Sequence, residues 1–209
     1  MTTSTGSTGP TGPTGPTGIV WDLGNVLIDW DPLAAIAAGV GEDEARRFLA
    51  AFDFREWNHG PDSGGTWEAA EAWLDAEHPE WSAHGRAYRP HFAKSLLGEV
   101  PGSVDLVREL HAAAVPQWGL TNWSAELYPH APATFDFLTM LEDVVVSGVE
   151  GLAKPDPAVY DLLVDRTDRP LSSLVFVDDR ADNVEAAAAC GMHAIVFSDA
   201  TTLRSDLRA

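Results

Sequence analysis

The stretch IVWDLGNVLIDWDP, residues 19–32, decides the fold of this chain. Its apolar run IVW is typical of a buried strand and ends at Asp22, after which Gly24 and Asn25 break the chain direction. Open α/β sheets present a reactive group in this way, as a carboxylate at the carboxyl end of a buried strand with a turn behind it. In isolation, Asp22 could equally cap a turn. Three later segments end in polar groups in a similar way, and this repetition favours a functional role.

From Val100 onward, helical and strand patterns alternate, which predicts βαβ units and a parallel sheet. The predicted strands lie in VPQWGLTNWS (115–124), DVVVSG (143–148), SLVFVDDRADN (173–183) and HAIVF (193–197). The predicted helices are SVDLVRELHAAA (103–114) with Ser103 as N-cap, PAVYDLLVDR (157–166), a run from Asp182, its predicted N-cap, to Cys190, and TTLRSDLR (201–208).

Residues 33–98 show no strand pattern and are predicted to be an all-helical insertion, a cap that could close over a site. The alternative is that these helices simply cover the sheet. The predicted helices are PLAAIAAG (32–39), EDEARRFLAAFD (42–53), TWEAAEAWLDAEH (66–78) and a run from about residue 81 to residue 97. Between two of them, REWNHGPDSGG (55–65) is predicted to be a polar, Gly-rich loop.

Residues 1–18, MTTSTGSTGPTGPTGPTG, are predicted to be a disordered tail rich in Gly, Pro and Thr. The tail lacks the basic and apolar regions of a secretory signal. No later segment has the roughly 18 consecutive apolar residues that a membrane-spanning helix requires.

The composition is that of a globular chain with a strongly acidic balance. Of its 209 residues, 45% are hydrophobic and eight are tryptophan, enough for a sizeable core, and the formal net charge is −19. This charge argues against a nucleic-acid partner or an anionic membrane, although a local cation still permits a small anionic ligand. The single cysteine, Cys190, lies in an apolar helical run that favours core packing, and its isolation fits a reducing, cytoplasmic compartment.

Polar groups end four of the predicted segments, and a parallel sheet brings such carboxyl ends to one edge. Asp22 is a candidate nucleophile or metal ligand. Thr121 offers a hydroxyl and a backbone N–H to an anion, and Lys154 offers a positive charge. The adjacent carboxylates of Asp178 and Asp179 require a cation, and hard oxygen ligands favour Mg²⁺ shared with a phosphate. The set indicates phosphoryl transfer to an aspartate. Taken singly, Thr121 could be an ordinary strand-end hydroxyl and Lys154 a solvated loop lysine.

The segments VWDLGNVLIDWDP, LTNWS, SGVEGLAKPDPAVY and FVDDRADNVEAA together resemble the haloacid dehalogenase superfamily, and in particular a subgroup of small phosphatases (subfamily IA-like) with a helical cap. The resemblance implies an α/β fold: a Rossmann-like parallel sheet with helices on both faces. It divides the chain into a catalytic core, residues 19–32 and 99–209, and a helical cap, residues 33–98.

The resemblance also implies a role for each site residue. Asp22 would form an aspartyl-phosphate, Thr121 would hold the transferring phosphoryl group and Lys154 would neutralise charge. The implied Mg²⁺ ligands are Asp22, the carbonyl of Gly24, Asp178 and Asp179, with Asn183 in support. The implied substrate-binding residues are Asn122, Trp57 and Asn58. The implied substrate is a small phosphorylated metabolite, with a sugar phosphate as one candidate.

One position departs from the commonest phosphatase pattern, which has a second aspartate two residues after the nucleophile as general acid and base. Here that residue is Gly24, whereas general acid–base help is worth roughly 10²- to 10⁴-fold in rate. Asp29 and Asp31 are nearby in sequence as replacements. Two alternatives follow: a haloacid dehalogenase, whose relatives also lack that acid, or a non-catalytic phosphate-binding protein with a degenerate site. The Asp178-Asp179 pair favours the phosphatase.

Overall fold

The computed structural model describes residues 16–208, in which a five-stranded parallel sheet forms the centre of the fold. The strands of this sheet are β1 (Gly18–Trp21), β4 (Gln117–Thr121), β5 (Asp143–Val146), β6 (Leu174–Asp178) and β7 (His193–Val196). Their spatial order is β5-β4-β1-β6-β7, so the strand that precedes Asp22 is the central one. The predicted α/β class and parallel sheet are confirmed.

Strand β1 pairs with a strand on each edge, and an apolar cluster buries each of its two faces. Ile19 aligns with Gln117 of β4 and with Val175 of β6. Alternate side chains enter opposite cores, since successive residues of a strand point to opposite faces. Ile19 and Trp21 pack into one apolar cluster and Val20 into the other. A continuous apolar run is therefore the expected sequence of this strand.

Helices cover both faces of the sheet, as the resemblance implies. Helices α6 (Ser103–Ala112) and α11 (Ala200–Asp206) contribute to one apolar cluster, through residues such as Val107 and Leu203. Helices α9 (Pro157–Thr167) and α10 (Ala181–Ala189) contribute to the other. Two short helices, α7 (His130–Thr134) and α8 (Ser147–Glu150), lie in the connections that flank β5.

The helical insertion leaves and re-enters the core through a small antiparallel ribbon of β2 (Ile28–Trp30) and β3 (Leu96–Glu99). Between these strands lie α1 (Pro32–Val40), α2 (Glu42–Ala51), α3 (Phe54–Asp62), α4 (Trp67–Glu77) and α5 (Ser82–His91). Rings of Phe48, Phe54, Trp57, Trp67 and Tyr88 meet within this insertion, with centroid separations of 4.9–6.2 Å between contacting pairs. No helix within residues 16–208 is long and apolar enough to cross a membrane.

The structure corrects the prediction of a loop over residues 55–65, because most of that segment is helix α3. The Asp53 carboxylate accepts a hydrogen bond from the backbone N–H of Glu56 at 3.0 Å and caps the helix. Phe54, Trp57 and Pro61 are buried along one side. The segment looks like a loop in composition because its remaining residues are polar or glycine, whereas tertiary burial of three side chains holds it helical.

Smaller corrections concern element ends. The run predicted as helix from about residue 81 to residue 97 is α-helix over Ser82–His91 and 3-10 helix over Phe92–Ser95; strand β3 begins at Leu96, where the backbone pairs with β2. Ser103 and Asp182 are helical residues, and the N-caps are Gly102 and Arg180. The predicted tail lies outside the described residues up to position 15. Its last residue, Gly18, already belongs to β1.

Candidate active site

The carboxyl edge of the sheet gathers the polar groups that the sequence placed at strand ends. Asp22 follows β1, Thr121 ends β4, and Asp178 ends β6 with Asp179 directly after it. Asp22 and Thr121 are buried, and Asp178 is fully inaccessible to solvent. One carboxylate oxygen from each of the three aspartates lies within 4.8 Å of the others. The chain thus concentrates three acids at a single point.

Lys154 supplies the charge that these acids require. Its Nζ donates to Asp22 Oδ1 at 2.8 Å, to Asp178 Oδ2 at 2.7 Å and to the carbonyl of Leu120 at 2.8 Å. All three ammonium protons are used, and the side chain is 1% exposed. The alternative of a solvated loop lysine is wrong. A buried ammonium between two carboxylates holds both in fixed positions.

Burial and neighbouring opposite charges act in opposite directions on the pKa values of Asp22 and Lys154. The pKa of Asp22 is raised to about 7: burial is the largest cause, the positive charge of Lys154 opposes it, and the neighbouring Asp178 adds to the rise. Burial alone would lower the pKa of Lys154, but the carboxylates of Asp22 and Asp178 outweigh burial and the pKa is raised. Burial also raises the pKa of Asp179, and Asp178 adds to that effect. Concentrated negative charge at this edge favours the arrival of a further cation.

The carboxylate of Asp178 is held from several sides. It accepts from the backbone N–H of Arg180 at 2.8 Å and from Nδ2 of Asn183 at 3.0 and 3.1 Å, besides its bond from Lys154. Asn183 is itself positioned, because its carbonyl accepts from the Tyr160 hydroxyl at 2.8 Å. Asp178 is therefore fixed by its partners, while Asp179 is only partly buried.

Asn122 fixes the loop that carries Lys154. Its Nδ2 donates to the carbonyl of Lys154 at 2.8 Å, and its Oδ1 accepts from the backbone N–H of Lys154 at 2.9 Å. Asn122, which was predicted to bind substrate, lines the cleft. Both the nitrogen and the oxygen of its side-chain amide are hydrogen-bonded to the backbone of Lys154. Its observed contacts position Lys154.

A cleft of about 150 Å³ lies between this edge and the helical insertion. Core residues that line it include Asp22, Gly24, Thr121, Lys154 and Asp179. Insertion residues that line it are Arg55, Asn58, His59, Asp62, Tyr88 and Phe92. A cavity of this size accommodates a molecule as small as benzene. The cleft is therefore built from both parts of the chain, while closure of the insertion over it stays a prediction.

Of the two cap residues predicted to bind substrate, the structure brings only Asn58 to the cleft. Trp57 is 7% exposed and donates from Nε1 to the carbonyl of Ala70 at 2.9 Å, inside the aromatic core of the insertion. Successive helical residues point about 100° apart, so neighbours in α3 serve different surfaces. Trp57 positions the helix that carries Asn58.

Asp62 was missed by the sequence analysis, because its segment was interpreted as a loop. Its Oδ2 accepts from Nδ2 of Asn58 at 2.5 Å, and burial raises the pKa of this carboxyl to about 7, against a backbone hydrogen bond from Ser124 that lowers it. The replacements considered from sequence do not line the cleft: Asp31 caps α1 through the N–H of Leu33, and Asp29 is exposed on β2.

Gly148 lets helix α8, which follows β5, approach the loop after β4. A Cβ at this position would lie 2.5 Å from the backbone nitrogen of Ala125 and 2.7 Å from the carbonyl oxygen of Trp123. We expect Gly148→Ala to lower the free energy of unfolding by about 1–3 kcal/mol, because backbone atoms must shift. Gly60→Ala is the control, since its Cβ would meet no atom within 4 Å. Urea denaturation of both variants measures the difference, and equal stability would contradict the account.

Comparison with known proteins assigns the chain to a family. The haloacid dehalogenase-like hydrolase family matches residues 16–191. The sesquiterpene phosphatase astK of Aspergillus oryzae is 29% identical over 103 residues, which are 49% of this chain and 53% of that protein. The chain spans about half or less of the length of the curated relatives it matches.

Solved structures share the fold at low identity. A haloacid dehalogenase family enzyme of Bacteroides thetaiotaomicron, in a magnesium complex, has a TM-score of 0.71 at 17% identity and covers 94% of this chain and 100% of that chain. The L-2-haloacid dehalogenase of Xanthobacter autotrophicus has a TM-score of 0.63 at 14% identity, covering 93% of this chain and 83% of that chain. With the family matching most of its length, from the strand before Asp22 to beyond Asn183, the chain belongs to the haloacid dehalogenase-like hydrolases.

Proposed function

We propose that the chain is a Mg²⁺-dependent phosphatase that hydrolyses a small phosphomonoester through an aspartyl-phosphate on Asp22. The observation that carries the proposal is the cluster of three carboxylates with one buried ammonium. Asp22, Asp178 and Asp179 each direct an oxygen to one point, and Lys154 bridges Asp22 and Asp178. This arrangement combines an oriented nucleophile with a compact site for a hard cation.

The donor set of the site fits Mg²⁺. Three carboxylates and the nearby carbonyl of Gly24 supply hard oxygen ligands, and few protein ligands suffice when water and phosphate complete the shell. Within residues 16–208, the buried Oδ1 of Asn183 finds no hydrogen-bond donor, so it is free to accept from an ion-bound water. When bound, Mg²⁺ would neutralise the phosphoryl oxygens and fix the phosphate. Asp22, Gly24, Asp178 and Asp179 would hold it.

The other parts of the proposed reaction are assigned to individual residues of the chain. An Asp22 carboxylate oxygen attacks phosphorus, and the bond from phosphorus to the departing alcohol breaks. Thr121 donates its hydroxyl or backbone N–H to a phosphoryl oxygen, while Lys154 holds Asp22 in place and offsets negative charge. Water then attacks phosphorus, which releases inorganic phosphate and restores Asp22. Asn122 holds the backbone of Lys154 in position throughout the reaction.

The phosphatase is favoured over a dehalogenase by the acidic pair and by the relatives. A dehalogenase would displace halide from carbon, and this step creates no need for a metal between Asp178 and Asp179. The curated relative from Aspergillus oryzae is named a phosphatase, and a Bacteroides thetaiotaomicron structure holds magnesium with inorganic phosphate. The small cleft supports a small phosphorylated metabolite, with a sugar phosphate as one candidate.

Removal of the metal tests this function. We expect dialysis against EDTA to abolish phosphate release from a panel of phosphomonoesters, and added Mg²⁺ to restore it. Parallel assays with 2-haloacids should give no halide in either condition. Metal-independent halide release would instead establish the dehalogenase. Binding of Mg²⁺ and beryllium fluoride without turnover of any ester would establish the non-catalytic alternative.

A further inference from the structure

The proposed reaction moves protons that the cluster around Asp22 cannot carry. When phosphorus is transferred to Asp22, the departing alcohol oxygen must gain a proton unless it leaves as a stable anion. When water attacks later, it must lose one. General acid–base groups for such steps lie within hydrogen-bond reach of the reacting oxygen. Gly24, two residues after Asp22, has no side chain to offer.

Few groups in the cleft are suited to this exchange. All ammonium protons of Lys154 are engaged, and burial raises the pKa of Tyr88 far above neutrality. Arg55 and Arg180 keep their protons at any physiological pH. Asp179 belongs to the acidic cluster. Two titratable side chains of the described cleft remain, Asp62 and His59, both from helix α3.

Asp62 is the better held of these two. Asn58 donates to its carboxylate, the backbone N–H of Ser124 donates to it from the core, and Ser147 donates from Oγ to its backbone carbonyl. These bonds attach the end of α3 to the loops after β4 and β5. His59, in contrast, is exposed, and within residues 16–208 its ring bonds only to the hydroxyl of Ser63, the C-cap of α3. A proton-transfer group must keep its position, which favours Asp62.

The charge environment of Asp62 also differs from that of Asp22 and Asp178. Within residues 16–208, its side chain forms no ion pair, whereas Asp22 and Asp178 share Lys154. Burial raises the pKa of Asp62 to about 7, so this carboxyl can give and take a proton near neutral pH. Tyr88 from α5 lies near enough for the charge of Asp62 to raise its pKa, and Arg55 and His59 from α3 line the same cleft.

We propose that Asp62, which the insertion places on the cleft opposite the sheet edge, is the general acid and base of the reaction. This inference rests on the proposed phosphatase function. In the first step, the Asp62 carboxyl gives its proton to the departing oxygen as the bond from phosphorus to that oxygen breaks. In the second step, the Asp62 carboxylate takes a proton from water as the water oxygen attacks phosphorus. The bond from phosphorus to Asp22 then breaks, and Asp22 and Asp62 return to their starting states.

Leaving-group dependence tests the role of Asp62. We expect Asp62→Asn to lower kcat/KM for alkyl phosphates such as glycerol phosphate by about 10²- to 10⁴-fold, because an alkoxide leaves poorly without a proton. Under the same conditions, kcat/KM of the variant for 2,4-dinitrophenyl phosphate should fall far less, because the dinitrophenolate leaves without a proton. A purely structural role for Asp62 would lower both rates by the same factor and would overturn the proposal.

Matched variants complete the design. Glu56→Gln changes an exposed carboxylate of the same helix and should leave both rates unchanged. His59→Gln should not alter the ratio of the two rates, and a selective loss in this variant would assign the role to His59 instead. Asp62→Ser, which retains a hydrogen-bond acceptor, repeats the measurement if the asparagine variant fails to fold. A wild-type protein that hydrolyses neither ester in Mg²⁺ contradicts the phosphatase itself, whereas equal losses contradict only the role of Asp62.

Discussion

Asp22→Asn should reduce phosphomonoester turnover by about 10⁵-fold or more, on the scale seen when a catalytic nucleophile is removed. An amide does not attack phosphorus at a useful rate, so the covalent step is lost. The side chains are nearly the same size, and the variant retains the ion pair of Lys154 with Asp178 at 2.7 Å. The fold should therefore survive.

Two measurements check this prediction together. Phosphate release under saturating substrate gives the loss of kcat, and thermal denaturation shows whether the variant is folded. Ser173→Ala is a suitable control, because Ser173 precedes the amino end of β6 and does not line the cleft; its hydroxyl donates to the carbonyl of Pro170. A folded Asp22→Asn protein that keeps a tenth of wild-type turnover would show that Asp22 is not the nucleophile.

Among the proposed variants, Lys154→Met should cause the largest decrease in the free energy of unfolding. The substitution keeps the length of the side chain but leaves Asp22 and Asp178 buried without their shared cation. Removal of one partner from a buried ion pair destabilises a protein by about 3–5 kcal/mol. Urea denaturation in EDTA isolates this effect from any metal. Turnover should also fall, because nothing holds the nucleophile in place.

An exposed ion pair provides the control for Lys154. Arg46 donates to Glu42 on the surface of α2, at 2.6 Å, and both side chains are well exposed. Arg46→Met should cost less than about 1 kcal/mol, because exposed pairs gain little over solvated charges. Similar losses in the free energy of unfolding for the two variants would mean that the buried ammonium of Lys154 does not stabilise the acidic cluster.

The sheet and its catalytic edge were predictable because buried parallel strands have a simple pattern. Each is a short, uninterrupted apolar run, and parallel topology alone brings the ends of such runs together. Asp22, Thr121 and Asp178 could therefore be placed near one another from sequence. Lys154 follows a helical turn after β5, and its partners became evident only from the packed structure.

The cap was less predictable because its details depend on tertiary contacts. Helix α3 contains Gly60 and Pro61, which favour loops, and only the burial of side chains such as Phe54 holds it together. Once α3 was interpreted as a loop, the faces of Trp57 and Asn58 could not be told apart. Asp62 was overlooked for the same reason. Strands β2 and β3, with three and four residues, are too short for any periodic pattern.

The most direct test of the central claim is to trap the phosphorylated aspartate. The wild-type protein is mixed with a phosphomonoester and Mg²⁺, quenched in acid and reduced with borohydride, which converts an acyl-phosphate aspartate into homoserine. Mass spectrometry of the peptide from the strand β1 region should then find homoserine at position 22, dependent on Mg²⁺ and on substrate. Release of phosphate with an unmodified Asp22, or reduction at another carboxylate, would contradict the account.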